Sequence, residues 1–210
     1  MDAGGAAVSP LPSQLEEAQE QETPVSGLDL LRETLEAADL TGVEFRNCRF
    51  CGCHFLGCDL SGASFSGCTF ADCLLESCRL SGTWWRDCQL QGGKWDGADL
   101  RRARWKDLTL EGVLLRYGNF SGGIWEHVSI KACNFTESAL REMRWKKVVL
   151  THTDLTRAEL FRTILTGMDL TSCTLDGIVL SETCRELRGA VITAAQSAVV
   201  ARILGIRVGP

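Results

Sequence analysis

Residues 38–62 read ADLTG-VEFRN-CRFCG-CHFLG-CDLSG, five units of five residues in which the third residue is always large and apolar. The same position holds a large apolar residue in all 29 units from Leu40 to Leu180, without an insertion. A second column, two residues earlier, is mostly small, as at Cys48 and Cys53. A period of five is neither that of a helix nor that of a strand. It predicts a solenoid, a chain that turns a corner every five residues and points one large and one small side chain inward on each side.

The repeated unit resembles the motif of the pentapeptide-repeat family, which is roughly Ala-Asp/Asn-Leu-x-x. The nearest copies are ADLTG at 38–42, CDLSG at 58–62, ADLRR at 98–102 and MDLTS at 168–172. The resemblance implies an all-β solenoid, a right-handed quadrilateral β-helix with 20 residues per coil. At that length one interior column contains Trp85, Trp105, Trp125 and Trp145. We interpret this column as a core ladder; a stripe of rings that stacks on bases is the alternative.

Residues 1–37 depart from the repeat and are predicted to form an arm and a cap. Residues 1–26 are rich in Pro, Gln and Glu, which favours a flexible or partly helical acidic arm, in which Ser13 and Glu16 could cap a short helix. Residues 27–37 follow Ser26, a good helix-capping residue, and carry Leu28, Leu31 and Leu35 on one helical face. They predict an N-terminal capping helix that covers the unpaired backbone groups of the first coil. The pentapeptide-repeat β-helix itself is predicted over residues 38–192.

Residues 193–210 are predicted to form a C-terminal module of a different kind. After Leu180 the five-residue period slips by two residues. Thr193 and Gln196 then form a capping box, which predicts a short C-terminal helix over residues 194–204, followed by a short strand. A helix this apolar cannot be buried by one turn of a solenoid, which suggests that it binds a partner. The candidate contact residues are Val199, Val200, Ile203 and Leu204.

Two segments extend the resemblance to a functional class. The sequence RGAVITAAQSAVVARILGIRV at 188–208 resembles the C-terminal end of the Qnr/MfpA quinolone-resistance proteins, and MRWKKVVLTHTDLT at 143–156 resembles a stretch of their homologues in Gram-positive bacteria. The resemblance implies a homodimer that forms through the C-terminal module, with Val199, Val200, Ile203 and Leu204 as the dimer contacts. It also implies a DNA-mimicking rod that binds DNA gyrase and topoisomerase IV and protects them from fluoroquinolones. Members from Gram-negative bacteria carry loops that interrupt the coils, whereas residues 40–180 carry none.

Acidic side chains are modestly enriched on two adjacent sides of the predicted rod. Carboxylates in rows, one coil of ~5 Å apart, can imitate phosphates and bind arginine and lysine side chains. We therefore predict that the topoisomerase contacts the corner that these two sides share. The candidate partner-binding residues are Asp39, Asp59, Glu76, Asp96 and Asp99. A solvated mosaic of charges with no partner is the alternative.

The 11 cysteines and three histidines do not form a catalytic pattern. Nine of the cysteines lie in the small inward column, where we interpret them as packing residues. The spacing Cys48-x2-Cys51-x-Cys53 superficially resembles a zinc cluster, but Cys51 falls on an outward position. The histidines fall on three different sides of the coil: His54, His127 and His152. We predict no enzyme activity, no metal and no cofactor.

Composition limits the remaining classes of function. The net charge of the 210 residues is −5, which disfavours wrapping of a nucleic acid by bulk attraction. The N-terminus lacks the basic and apolar regions of a secretory signal, and no apolar stretch is long enough to cross a bilayer. Free thiols suggest the reducing cytoplasm. The predicted function is that of a non-enzymatic topoisomerase-binding protein; the alternative is an interaction scaffold with an unknown protein partner.

Overall fold

The computed structural model describes residues 13–21 and 23–208, most of which form a stack of 20-residue coils. Strands pair in parallel with the strand 20 residues later, so that Phe45 lies over Phe65 and Trp85 over Trp105. Each coil has four sides of five residues, and the large third residue of each unit points inward. The parallel β-solenoid predicted from the period is therefore confirmed.

The four sides are numbered from the N-terminal end, where their first inward residues are Val25, Leu30, Leu35 and Leu40. The first side contains β1 (Val25–Ser26), β4 (Glu44–Arg46), β7 (Ser64–Ser66), β10 (Trp84–Arg86) and β14 (Arg144–Lys146). The second contains β2 (Asp29–Leu31), β5 (Arg49–Cys51), β8 (Thr69–Ala71), β11 (Gln89–Gln91) and β15 (Val149–Thr151). The strands β12 (Arg104–Glu111) and β13 (Ile124–Lys131) turn the corner between these two sides. The third side contains β3 (Thr34–Glu36), β6 (His54–Leu56) and β9 (Leu74–Glu76), and single bridges join the coils on the fourth side.

The predicted helix over residues 27–37 is wrong, because this segment is already part of the first coil. β2 pairs with β5, and β3 pairs with β6, in the same 20-residue register as the later coils. Leu30 and Leu35 are buried, whereas Leu31 is exposed. Packing at a period of five therefore prevails over the helical spacing of the leucines, and the repeat begins at Val25.

The N-terminal helix lies earlier, within the segment predicted to be a flexible or partly helical arm. It is α1 (Ser13–Glu20), and its Leu15 and Ala18 are buried against the start of the solenoid. Within residues 1–26 the short helix expected at Ser13 is therefore observed, whereas β1 belongs to the solenoid and not to an arm; residues 1–12 and 22 lie outside the described residues. As predicted, a helix covers the N-terminal end of the solenoid, but this helix is α1 and not the one predicted over residues 27–37.

The aromatic column forms two stacks in the core. In the lower stack, which is nearer the N-terminus, the ring centroids of Phe65 and Trp85 are 4.1 Å apart. In the upper stack Trp105 and Trp125 are 4.5 Å apart and parallel within 2°, and Trp125 and Trp145 are 5.3 Å apart. Within the described residues no ring contact joins Trp85 to Trp105. The interpretation of this column as a core ladder is confirmed, with an interruption between the two stacks.

A buried hydrogen bond distinguishes Trp85 from the upper stack. The indole Nε1 of Trp85 donates to Thr83 Oγ1 at 2.9 Å, and this hydroxyl donates to the Leu80 carbonyl at 2.7 Å. The Nε1 atoms of Trp105 and Trp125 are buried and have no partner in the described part of the chain. Their coils carry no hydroxyl two residues before the ring. The Thr83 hydroxyl therefore satisfies a donor that stays unsatisfied elsewhere in the ladder.

The last coil is two residues longer than the others, as the sequence predicts. Asp169 pairs with Val191, 22 residues later instead of 20. The buried Glu186, in a short 3-10 helix (Arg185–Leu187), closes the added turn by accepting hydrogen bonds from the Arg162 amide at 3.0 Å and the Ser181 hydroxyl at 2.8 Å. Burial raises the pKa of Glu186, but the hydrogen bonds from Arg162 and Ser181 outweigh it and hold the pKa below its usual value. Glu186 is thus a charged structural anchor of the C-terminal end.

The C-terminal helix is α2 (Ala194–Ile203), one residue shorter than predicted. The capping box is formed, since Thr193 Oγ1 accepts from the Gln196 amide at 3.1 Å and Gln196 Oε1 accepts from the Thr193 amide at 2.7 Å. The Gln196 side-chain amide also donates to the carbonyls of Leu170 and Cys173 at 2.8 and 2.7 Å. One glutamine therefore both starts the helix and attaches it to the last coils.

Replacement of Thr83 by Val tests the buried hydrogen bond in the ladder. Thr83→Val keeps the shape of the side chain but leaves the Trp85 indole N–H unsatisfied, so we expect the free energy of unfolding to fall by about 1–3 kcal/mol. Thr109→Val is the matched control, because Thr109 points outward and an exposed change costs less than about 0.5 kcal/mol. Urea unfolding, followed by tryptophan fluorescence, measures both. Equal losses for the two variants would contradict this role of Thr83.

Candidate partner-binding surfaces

The aspartates of the fourth side have a structural role in the turns of the solenoid. Asp39 Oδ1 accepts a hydrogen bond from the Thr41 amide at 3.0 Å, and Asp59 Oδ1 accepts one from the Ser61 amide at 2.9 Å. Hydrogen bonds from Thr41 and Ser61 hold the pKa values of Asp39 and Asp59 below the usual range. The repeated Asp-Leu-Ser/Thr sequence is thus an Asx turn. These carboxylates would be retained for folding even without a partner.

Three of the predicted partner-binding carboxylates form ion pairs with arginine. The pairs are Asp59 with Arg79 (2.7 Å), Asp96 with Arg116 (2.6 Å) and Asp99 with Arg101 (2.6 Å). In addition, Arg79 lies between Asp59 and Asp99 in the column, so it interrupts the predicted row of negative charges. The sequence could have revealed the first two pairs, because each arginine follows its aspartate by 20 residues.

Glu76 is a predicted partner-binding residue whose charge is accessible. It lies on the third side, where half of its side chain is exposed, and its Oε1 is 3.5 Å from His54 Nε2. Asp96 lies one coil further along the same side and is mostly covered. The structure therefore brings the candidate residues to two adjacent sides, with Glu76 accessible and Asp96 enclosed by its arginine.

The C-terminal module exposes an apolar row that contains Leu204, one of the four predicted dimer contacts. Val199 is buried against the solenoid within its own chain, while Val200 and Ile203 are half-buried. Leu204, Ile206 and Val208 are 47%, 55% and 58% exposed. Residues 206–208 do not form the predicted strand. The apolar surface available to a partner is therefore the end of α2 and the segment after it.

Models of pentapeptide repeats match most of this repeat region. The model of the pentapeptide repeat region matches residues 28–94 and 48–122, and the model of pentapeptide repeats in eight copies matches residues 129–167. Together they cover more than half of the chain. The chain belongs to the pentapeptide-repeat family. No curated protein matches the sequence.

Solved structures similar to this pentapeptide-repeat protein come from several sources. HetL, involved in heterocyst differentiation regulation in the cyanobacterium Nostoc sp. strain PCC 7120, is 18% identical over 80% of this chain and 88% of its own, with a TM-score of 0.42. Full-length QnrB1, a plasmid-mediated fluoroquinolone resistance protein, is 21% identical over 86% of this chain and 99% of its own, with a TM-score of 0.33. A pentapeptide repeat protein from the Arabidopsis thaliana thylakoid lumen is 21% identical over 68% and 77%, with a TM-score of 0.25.

The described residues of this pentapeptide-repeat protein show no arrangement for catalysis. His54, His127 and His152 lie on the third, first and second sides, so they do not converge. No group of three or more His, Cys, Asp or Glu side chains within the described ranges could hold a metal ion. No helix in the same part of the chain is long and apolar enough to span a membrane.

The inward cysteines pack as predicted and make weak hydrogen bonds between coils. Nine cysteines are buried, and the Sγ atoms of most of them lie near carbonyl oxygens one coil below, as between Cys53 and Leu30 at 3.3 Å. Burial raises the pKa of the Cys133 thiol to about 11, which disfavours the reactive thiolate. Cys51 and Cys184 are only half-buried. A small side chain with a weak donor explains why this column favours cysteine.

We expect two classes of thiol in the folded protein. Cys51 and Cys184 should react with a disulfide reagent such as DTNB in the native state, whereas the nine buried thiols should react only as the protein unfolds. The combined replacements Cys51→Ser and Cys184→Ser should abolish the native reaction and leave the melting temperature unchanged. Metal analysis of the purified protein should find no stoichiometric zinc. Rapid reaction of more than two thiols, or bound zinc, would contradict the packing role.

Proposed function

We propose that this protein is a non-enzymatic, dimeric rod of the Qnr type that binds DNA gyrase, and in second place topoisomerase IV, and protects them from fluoroquinolones in the cytoplasm. The observation that carries the proposal is the C-terminal module. Its capped helix is attached to the solenoid by Gln196 and leaves Leu204, Ile206 and Val208 exposed. This is the part of the chain whose sequence, at residues 188–208, resembles the quinolone-resistance proteins. An exposed apolar row on a soluble rod needs a partner, and a second copy of the same surface supplies one.

The rod supplies a rigid surface for the proposed topoisomerase contact. A DNA mimic needs carboxylates at fixed positions, and the aspartates of the fourth side are fixed by their own turns. However, Arg79, Arg101 and Arg116 neutralise part of that charge. Binding to a basic protein surface would require these carboxylates to exchange or share their arginine partners. We therefore propose that Glu76, which is accessible, makes the first contact with the enzyme.

A gyrase supercoiling assay in the presence of ciprofloxacin tests the proposed function. The purified protein should restore supercoiling, and Glu76→Lys should raise the concentration needed for protection by about tenfold, because a like charge then faces the basic surface. Arg144→Glu, on the first side opposite Glu76, is the matched charge reversal and should leave protection unchanged. Asp96→Lys is less suitable, because it would also break the ion pair with Arg116. No rescue by micromolar wild-type protein would refute the proposal.

Truncation tests the dimer separately. A chain that ends at Ile192 keeps the repeats but lacks α2 and the exposed apolar row, so light scattering should find a folded monomer where the full chain is a dimer. The triple change Leu204→Ser, Ile206→Ser and Val208→Ser should have the same effect without removing α2. A truncated chain that is still dimeric would place the interface elsewhere on the rod.

The second candidate function is that of an interaction scaffold whose protein partner is not a topoisomerase. The ion pairs of Asp59, Asp96 and Asp99 favour it, since a surface whose charges are internally neutralised is poorly suited to imitate DNA. The two functions are separated by the gyrase assay. A dimeric protein without any effect on gyrase would support the scaffold.

A further inference from the structure

The backbone ladder between coils is interrupted near the C-terminal end. The coil that contains β13 is still joined to the following coil, since β13 pairs with β14 and with β15 through three residue pairs each. In the described chain, no backbone hydrogen bond or bridge joins residues 144–152 to residues 164–172. On the third side the same two coils remain joined, as at Asp154 and Thr174. Along their first and second sides these two coils are thus not joined by backbone hydrogen bonds, although most of their inward side chains stay buried, and we call this interruption of the ladder the seam.

Side-chain hydroxyls mark the two ends of the seam. The Met143 amide donates to Thr163 Oγ1 at 2.9 Å, and the His152 amide donates to Ser172 Oγ at 3.1 Å. In the other coils, amides at the equivalent positions donate to carbonyls of the next coil. Between Met143 and His152 these amides have no backbone acceptor among the described residues. Trp145, beside the seam, is partly exposed, whereas the two rings below it in the ladder are buried. The seam therefore presents unpaired backbone groups and part of an aromatic ring.

A surface depression of about 940 Å³ lies over the first-side end of the seam. Gly122, which has no side chain, helps to open it. Ile124 is half-buried and Ile164 is 55% exposed, so two aliphatic side chains lie in the otherwise polar lining of the depression. The side chains that matter for binding are Arg102, Arg104, Ile124, Arg144, Trp145 and Ile164.

The charge around the depression is positive. Arg102, Arg104 and Arg144 form no ion pair with any described residue, whereas Arg162 is paired with Glu142 at 3.0 Å. The guanidinium of Arg104 is held in place above the Trp84 ring, 4.4 Å from its centroid. Guanidinium groups in a fixed orientation bind carboxylates through two parallel hydrogen bonds. The site therefore combines arginines without an ion pair, the aliphatic side chains of Ile124 and Ile164, and unpaired backbone groups.

We propose that this depression binds an extended acidic peptide of a partner protein. Its carboxylates pair with Arg102, Arg104 and Arg144, and an aliphatic side chain packs between Ile124 and Ile164. Unpaired amides of the seam bind the peptide carbonyls where the peptide crosses it. From the coil of Arg104 to that of Ile164 the rod rises three coil spacings, ~14 Å, which an extended peptide covers in roughly four or five residues. The site lies on the side opposite Glu76, so it does not depend on the proposed gyrase contact.

A peptide fits this surface better than a nucleic acid does. The aliphatic pair of Ile124 and Ile164 matches a side chain and has no counterpart in a phosphate backbone. The net charge of −5 also disfavours the binding of a nucleic acid.

Fluorescence anisotropy with the full-length protein and the labelled peptide EDVEIDE tests the proposal. Arg104→Glu combined with Arg144→Glu should weaken binding at least tenfold, a threshold that corresponds to the loss of one charge-assisted contact of about 1.4 kcal/mol. The matched control is Arg32→Glu combined with Arg49→Glu, exposed arginines of the second side, and should change affinity less than twofold. Thermal melts of both variants show whether folding is retained.

Three further probes decide between the possible ligands. The peptide EDSESDE, without aliphatic residues, should bind at least fivefold more weakly, and KKVKIKK should not bind. A labelled oligothymidylate should bind more weakly than EDVEIDE and should show no tenfold loss in the Arg104/Arg144 variant. The proposal is overturned if EDVEIDE does not bind the wild-type protein, if both double variants lose affinity equally, or if the oligothymidylate binds as tightly with the same loss.

Discussion

The stacking of each residue on the residue 20 positions later is the constraint on which the whole structure depends. It aligns backbone donors and acceptors of successive coils and places like side chains over one another, as in the pair Trp105 and Trp125. In the part of the chain that the structure describes, the other coils pair with their neighbours, so unpaired strand edges remain only at the two ends and at the seam. Helices α1 and α2 cover the ends. The two residues added before Val191 let the chain leave this register and start α2.

The strength of this constraint explains which features the sequence predicts well. A period that is kept over 29 units predicts a solenoid and its inward cysteines, and the 20-residue coil that the family resemblance implies then gives the aromatic column. The capping box of Thr193 and Gln196 is a local signal, and it predicts α2 to within one residue. The helix predicted over residues 27–37 fails because Leu28 and Leu35 fit both a helical and a five-residue spacing. Only the pairing with the next coil decides between them, and the period in fact extends back to Val25.

The surfaces are harder to predict than the core, because they depend on which side chains meet across coils. The candidate acidic residues share two adjacent sides, as the register requires, but their arginine partners change what the charge can do. The Asp96 carboxylate, for example, is already paired with Arg116 and is therefore less available to another protein. Nothing in a regular period indicates the seam, where two hydroxyls replace backbone acceptors. Protein binding at both the C-terminal row and the first side is consistent with a rigid rod that has no convergent catalytic groups among its described residues.

Amide hydrogen exchange, measured residue by residue by NMR, tests most directly whether the ladder between coils holds the rod together and is broken at one seam. In β13 the amides of Trp125 and Ile130 are paired with neighbouring coils and should exchange only through global unfolding. The amides of Trp145, Lys147 and Leu150, which face the seam, should exchange at least ~100-fold faster, since only a local opening separates them from water. Equal protection of the two groups would show that the last coils are fully paired and would contradict this account.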